Sequence, residues 1–158
     1  MTAAAGRRAV RGATEADAED AASLLRRFNA EYGDPAPSLL ELTGRVAELL
    51  AEGDTTVLLA GDGPDGLALL RFRTALWSPG LECYLAELYV VPERRGQGLG
   101  RALLDAAIDD ARARGADTMD LGTSEADTVA RGLYERSGFV NREHPPDGPL
   151  MYVYERNL

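Results

Sequence analysis

The chain contains no lysine: all 17 of its basic residues are arginines, set against 26 acidic residues for a net charge of −9. The missing lysine excludes a Walker A phosphate loop, which needs Gly-Lys-Ser/Thr after its spacer. The acidic balance repels nucleic acid and anionic lipid, so neither nucleic acid nor membrane is expected as a partner. Cysteine is almost absent. Cys83 alone cannot form an internal disulfide, which reads as a reducing cytoplasm, and its strand-like surroundings suggest a buried structural thiol. The single histidine, His144, sits in a proline-flanked loop and is expected to be solvated. No run approaches the roughly 18 to 20 apolar residues that span a bilayer. The opening "MTAAAGRRAVRG" has an arginine pair without an apolar segment behind it, so no secretory or twin-arginine signal is expected. At 158 residues the length suits one domain, taken as 1–158. The Ala/Arg/Gly-rich usage is that of a GC-rich bacterial genome, which speaks to origin and not to function.

What is present is an alternation of strands and helices. "RAVRGAT", from Arg8 to Thr14, reads as a short strand, followed by the capping pattern "TEAD" and a helix to about Glu31. Ala18, Ala21, Leu24, Leu25 and Phe28 share one face of that helix. A second helix opens at Ser38, with Glu41 at capping-box spacing. "TTVLLA" and "LALLRFRT" read as strands joined by the turn "GDGPDG", and "LECYLAELYVV" as a long strand closed by Pro92. "GRALLDAAIDDARARG" is a helix stopped by Gly115, with Leu99, Leu103, Leu104, Ala107, Ile108 and Ala111 on its apolar stripe. A strand over 118–123 follows, then a helix "ADTVARGLYERSG" that Ser124 and Asp127 can cap. Two last strands are expected around 139–141 and 150–154. The order β α α β β β α β α β β predicts an α/β protein of the α+β type. Its twisted sheet should be mixed and mostly antiparallel, with about six to seven strands and about four helices on both faces.

Between the long strand and the third helix stands "RGQGLG", with three glycines in five residues. Unpaired N–H groups at a helix start can hold an anion when no side chain blocks the approach. A tight turn alone would need only one of these glycines. The dinucleotide pattern G-x-G-x-x-G/A fails in both registers, reaching Arg101 from Gly96 and Leu103 from Gly98. The remaining pattern is Arg/Gln-x-x-Gly-x-Gly/Ala, spelled by Arg95, Gly96, Gln97, Gly98, Leu99 and Gly100.

With "ELYVVPERRGQGLGRALL", and with "ARGLYERSGF" about 35 residues later, the chain resembles the GNAT superfamily of acetyl-coenzyme A-dependent N-acetyltransferases from about Val10 onward. The resemblance implies a GNAT fold, acetyl-coenzyme A as co-substrate and no metal. It implies that backbone amides from Gln97 to Arg101 hold the coenzyme A pyrophosphate. It implies that a bulge near Leu88, Tyr89 and Val90 frees backbone N–H groups for the oxyanion. Tyr134 matches the tyrosine that in many relatives protonates the leaving thiolate. Its alternative is core packing beside Val129, Ala130 and Leu133.

The base is less clear. Polyamine and small-amine relatives commonly carry two adjacent acids before the aromatic pair, and here Ala86 replaces the first. Period-2 alternation places Glu82, Tyr84 and Ala86 on one face and Cys83, Leu85 and Glu87 on the other until a bulge intervenes. Glu87 or Glu82 could deprotonate the amine, or Glu87 could be a buried ion-pair partner. Asp127 stands where relatives often have an asparagine that contacts pantetheine. An ionised aspartate cannot donate a hydrogen bond, so helix capping is the expected role. Trp77 could line the acceptor site or the core. The expected activity is direct acetyl transfer to a small cationic amine or a peptide amine. The alternatives are an acyl-coenzyme A sensor that has lost its base and a nucleotide-binding module. Whether the chain pairs with a second copy is left open.

Overall fold

The structure, a computed structural model, describes residues 9–158. The arginine pair of the opening segment and the expected strand start at Arg8 lie outside them. The chain divides after Leu121 into two compact units.

The first unit is built on a five-stranded sheet in the order β1-β2-β3-β4-β5. Its strands are β1 (Val10–Gly12), β2 (Thr55–Ala60), β3 (Gly66–Thr74), β4 (Leu81–Val90) and β5 (Ala116–Asp120). The pairs from β1 to β4 are antiparallel and β5 runs parallel to β4. Two helices, α1 (Ala18–Glu31) and α2 (Leu39–Glu52), precede β2, and α3 (Leu99–Ala113) links β4 to β5. The parallel step needs that crossover helix, whereas β2, β3 and β4 are joined by short turns.

Both sheet faces are covered. Val57 and Leu59 of β2, Leu67 and Leu69 of β3 and Tyr89 of β4 pack with Ala18, Ala21, Ala22 and Leu24 of α1 and Val46 of α2. The intervening residues face α3: a Cβ on Gly66 would lie 3.2 Å from the Leu103 side chain, and Arg114, just past α3, stacks 4.1 Å from the Phe72 ring. Leu103, Leu104 and Ala107 are fully buried, as the apolar stripe predicts.

Local signals explain the boundaries. Ser38 accepts from Glu41 N and donates its own N–H to the Glu41 carboxylate, closing the expected capping box. Asp17 accepts from Thr14 N at 2.9 Å and pairs with Arg11 at 2.8 Å. A single 3-10 turn over Glu15–Asp17 precedes α1.

The second unit, Gly122–Leu158, contains α4 (Thr128–Arg136). The helix starts two residues later than the sequence suggests because Asp127, not Ser124, is its N-cap. The two last strands do not form as such. Met151 N donates to Asn141 O and Glu143 N to Pro149 O around one isolated bridge, Arg142 to Leu150. The Pro/Gly loop between these arms ends the ladder before it lengthens. The sheet therefore has five strands among the described residues, not six or seven.

Candidate functional site

The register of β4 against β3 breaks at one place. Glu87 lies opposite Leu69 and Leu85 opposite Leu70, so Ala86 is the extra residue of a bulge. Before it, Glu82 and Tyr84 pair with Arg73 and Arg71; after it, Glu87 and Tyr89 pair with Leu69 and Leu67. Paired residues share a face, and Leu67, Leu69 and Tyr89 all belong to the core under α1 and α2. The bulge thus brings Glu87 onto the same face as Glu82, Tyr84 and Ala86. Simple alternation had put Glu87 opposite them, because period 2 holds only for an uninterrupted ladder.

The same strand is open along its other edge. β5 pairs with β4 from Leu81 to Tyr84, so among the described residues the length from Leu85 to Val90, including Leu88, Tyr89 and Val90, has a strand neighbour on the β3 side alone. Alternate N–H groups along that open edge have no ladder partner.

The two candidate bases differ in their surroundings. Glu82 is ion-paired with Arg73. Glu87 is half-buried, and no hydrogen bond or ion pair among the described residues engages it. Burial pushes its carboxyl above the ordinary glutamate range. A carboxylate with a raised pKa and no neutralising partner is a stronger proton acceptor than an ordinary glutamate. Cys83, on the opposite face, is fully buried and its thiol is pushed up to about 11, chiefly by desolvation. That makes it inert, as expected.

The glycine loop follows Val90. Gly96 has φ +75° and Gly98 φ +84°, the left-handed region where a Cβ is strained. A Cβ on Gly96 would meet nothing within 4 Å. Gly98 is the N-cap of α3 and offers no side-chain cap, and no acid stands in the first turn, which includes Leu99, Gly100 and Arg101. The other three described helices carry either a capping side chain or acids there. Among the described residues the start of α3 therefore has no side-chain cap and no acid in its first turn, which suits an anion such as a pyrophosphate.

Arg95 does not point its charge at free space. Its guanidinium pairs with Glu31 of α1 at 2.7 Å, its Nε donates to Val90 O at 3.0 Å, and it lies 5.7 Å from the Tyr89 ring centroid. Tyr89 in turn stacks on Phe28, with centroids 4.9 Å apart. The partner Glu31 has no local sequence signal, since it lies 64 residues from Arg95. Sequence reasoning missed it for that reason.

In the second unit, Asp127 accepts from Ala130 N at 3.0 Å, which is the capping role expected of it. The Tyr134 ring stands edge-to-face with Phe139, with centroids 5.9 Å apart. His144 is exposed, at φ +48°. Trp77, in the β3–β4 connection of the first unit, is 92% exposed and takes no part in the core. Among the described residues no helix is long and apolar enough to cross a membrane.

Comparison with known proteins adds a frame to this geometry. The model of the acetyltransferase (GNAT) family matches residues 20–139. A mycothiol acetyltransferase of Beutenbergia cavernae is 36% identical over 133 residues, covering 82% of this chain but 43% of that protein. The chain thus spans less than half the length of that relative. An uncharacterised N-acetyltransferase of Bacillus subtilis (strain 168), YhfO, is 30% identical over 130 residues, covering 79% of this chain and 87% of the relative. A crystal structure of a candidate acetyltransferase from Arthrobacter sp. FB24 superposes with a TM-score of 0.86 at 45% identity, covering 94% of this chain and 96% of the other.

Proposed function

Because this chain belongs to the acetyltransferase (GNAT) family, we propose that it transfers an acetyl group from acetyl-coenzyme A directly to the amine of a small cationic acceptor. The observation that carries this reading is Glu87: a half-buried carboxyl, shifted upward by burial, delivered by the Ala86 bulge to the open stretch of β4.

Acyl transfer to an amine makes demands that this chain's groups can meet. The acceptor must lose a proton before its nitrogen attacks, and Glu87 takes that proton. Glu82 is the weaker choice because Arg73 already neutralises it. The developing oxyanion needs N–H donors, which the unpaired edge near Leu88, Tyr89 and Val90 supplies. The uncapped amides from Gln97 to Arg101 hold the donor's pyrophosphate. As the nitrogen–carbon bond forms and the carbon–sulfur bond breaks, the departing sulfur needs a proton. By family resemblance, Tyr134 gives it. A phenol and a coenzyme thiol have comparable pKa values, so this transfer is close to balanced. Cys83 is excluded as a relay, being buried and protonated, so transfer is direct rather than through an acyl-enzyme.

The test is acetyl-coenzyme A consumption against a panel containing a polyamine, an aminoglycoside and a peptide with a free N-terminus. Turnover with at least one amine, coupled to product bearing one added acetyl group by mass spectrometry, is expected. Tight coenzyme A binding with no turnover on any amine would favour the sensor reading, which the absence of an acid at Ala86 supports.

A further inference from the structure

The stretch between β4 and the glycines contains three charged residues in a row, and each is tied to a different point of the first unit. Glu93 receives two hydrogen bonds from Arg27 of α1, both at 3.0 Å. Arg94 makes a charge contact with Asp65 of the β2–β3 turn at 3.3 Å, without hydrogen-bond geometry at its Nε. Arg95 is held by Glu31 of α1 while it donates to the carbonyl of Val90. Asp65 also ties the turn to the strand end, accepting from Val91 N through its backbone carbonyl at 2.9 Å. Glycines free in φ are held in one conformation only by what surrounds them. Here the shoulder ahead of the loop is anchored, and among the described residues no side-chain hydrogen bond or ion pair anchors Gly96 to Gly98 themselves.

Among these ties the one at Arg95 is distinctive. It joins three elements at once: the C-terminal end of α1, the last carbonyl of β4 and the first residue of the loop. Two opposed roles are conceivable for a guanidinium at this place. It could reach for a phosphate of the donor, in which case Glu31 competes with the phosphate for it. Or it could act within the protein, in which case Glu31 is required for the loop's geometry.

We propose that Glu31 is a positioning residue for the donor site: through Arg95 it fixes the chain at Val90–Arg95 and so holds the amides of the glycine loop ready for the pyrophosphate. This rests on the donor-site reading above. It assigns Arg95 to the scaffold instead of to direct phosphate contact, and it couples α1, the helix covering the Glu87 face of β4, to the loop that receives the donor.

The two roles give opposite signs. In Glu31→Gln, shape is kept and charge is lost. If Arg95 acts through Glu31, coenzyme A binding measured by calorimetry should weaken about threefold to tenfold, and KM for acetyl-coenzyme A should rise while kcat stays near that of the unaltered protein. Arg95→Gln should weaken it at least as much, since it also removes the bond to Val90 O, and the double variant should be no worse than Arg95→Gln alone, because the Glu31 contact is already lost there. If Arg95 instead binds phosphate directly, removing the competing carboxylate leaves binding unchanged or tightens it. That result overturns the proposal. Asp17→Asn, which breaks the Arg11 pair at 2.8 Å elsewhere on the first unit, should leave coenzyme A binding unaltered; an equal loss there would mean a general effect and would also overturn it. A readout without ligand separates this proposal from the donor-site reading. Amide hydrogen exchange over residues 96–101 should be faster in ligand-free Glu31→Gln than in the unaltered protein. If the unaltered protein fails to bind coenzyme A, the donor-site reading falls, and the exchange result still decides whether Glu31 orders the loop: faster exchange supports that role and unchanged exchange ends it.

Discussion

Replacing Gly98 with alanine would test the loop with a matched control in the same chain. Gly98 has φ +84° and Gly53, the C-cap of α2, has φ +83°. An alanine at either position therefore pays the same left-handed penalty, about 1 to 2 kcal/mol. For a chain of this size that corresponds to a fall in Tm of about 2 to 8 °C for each variant. A Cβ on Gly53 meets nothing within 4 Å, so its cost is conformational alone. The quantity compared is therefore the ligand-induced rise in each variant, read against that variant's own basal Tm. Coenzyme A at about a hundred times its Kd stabilises a native state that binds it by about 2.7 kcal/mol, or roughly 5 to 11 °C here. Gly53→Ala should keep that ligand-induced rise. Gly98→Ala should lose most of it, because a methyl group then stands where the pyrophosphate must approach the backbone. The assay is differential scanning fluorimetry with and without coenzyme A. A full ligand-induced rise in Gly98→Ala would refute the placement of the donor at this loop, whatever the change in basal Tm.

Three further outcomes follow from single groups. Tyr134→Phe removes only a hydroxyl, and if that hydroxyl protonates the leaving sulfur, kcat should fall about 10- to 1000-fold; steady-state kinetics showing full activity would return the residue to packing against Phe139. Asp127→Ala deletes the cap on Ala130 N and should cost about 1 kcal/mol of stability, whereas Asp127→Asn should cost far less, as thermal melts would show. Cys83, with its thiol pushed up to about 11, should resist iodoacetamide at neutral pH in the folded protein and be labelled in denaturant. Rapid labelling of the native state would contradict its burial.

Much of this architecture was legible from local patterns. The capping box at Ser38, the apolar stripe of α3 and the strand–glycine–helix succession all depend on neighbours in sequence, and each stands in the structure where expected. The faces of β4 were not legible, because alternation is a property of an unbroken ladder and the slip at Ala86 is fixed by how β3 packs beside it. The final strands failed for the related reason that Leu150–Tyr154 has a strand's composition but, within its unit, little more than a bridge to pair with. At the site, the residue types of Glu87, Tyr134 and the glycines were readable. The engagement of Glu82 by Arg73 and of Arg95 by Glu31 was not, since charge pairing across the fold leaves no mark in local spacing. The first of those pairings is what makes Glu87, and not Glu82, the proposed base.

The central claim is that Glu87 acts as the base. The most direct measurement is kcat/KM of Glu87→Gln relative to the unaltered protein at about pH 7 and about pH 9.5, with an alkyl amine whose pKa of about 10.4 leaves only about one molecule in two thousand neutral at the lower pH. If Glu87 takes the proton, the loss should be larger at the lower pH and shrink at the higher, where more of the amine is already neutral. Stability supplies the sign that separates the roles. Burial raises the Glu87 pKa, so the charged carboxylate that exists above that pKa costs stability, and its neutral replacement should raise Tm at neutral pH or leave it unchanged. An equal loss of kcat/KM at both pH values, accompanied by a lower Tm, would instead make Glu87 a structural group and contradict the account.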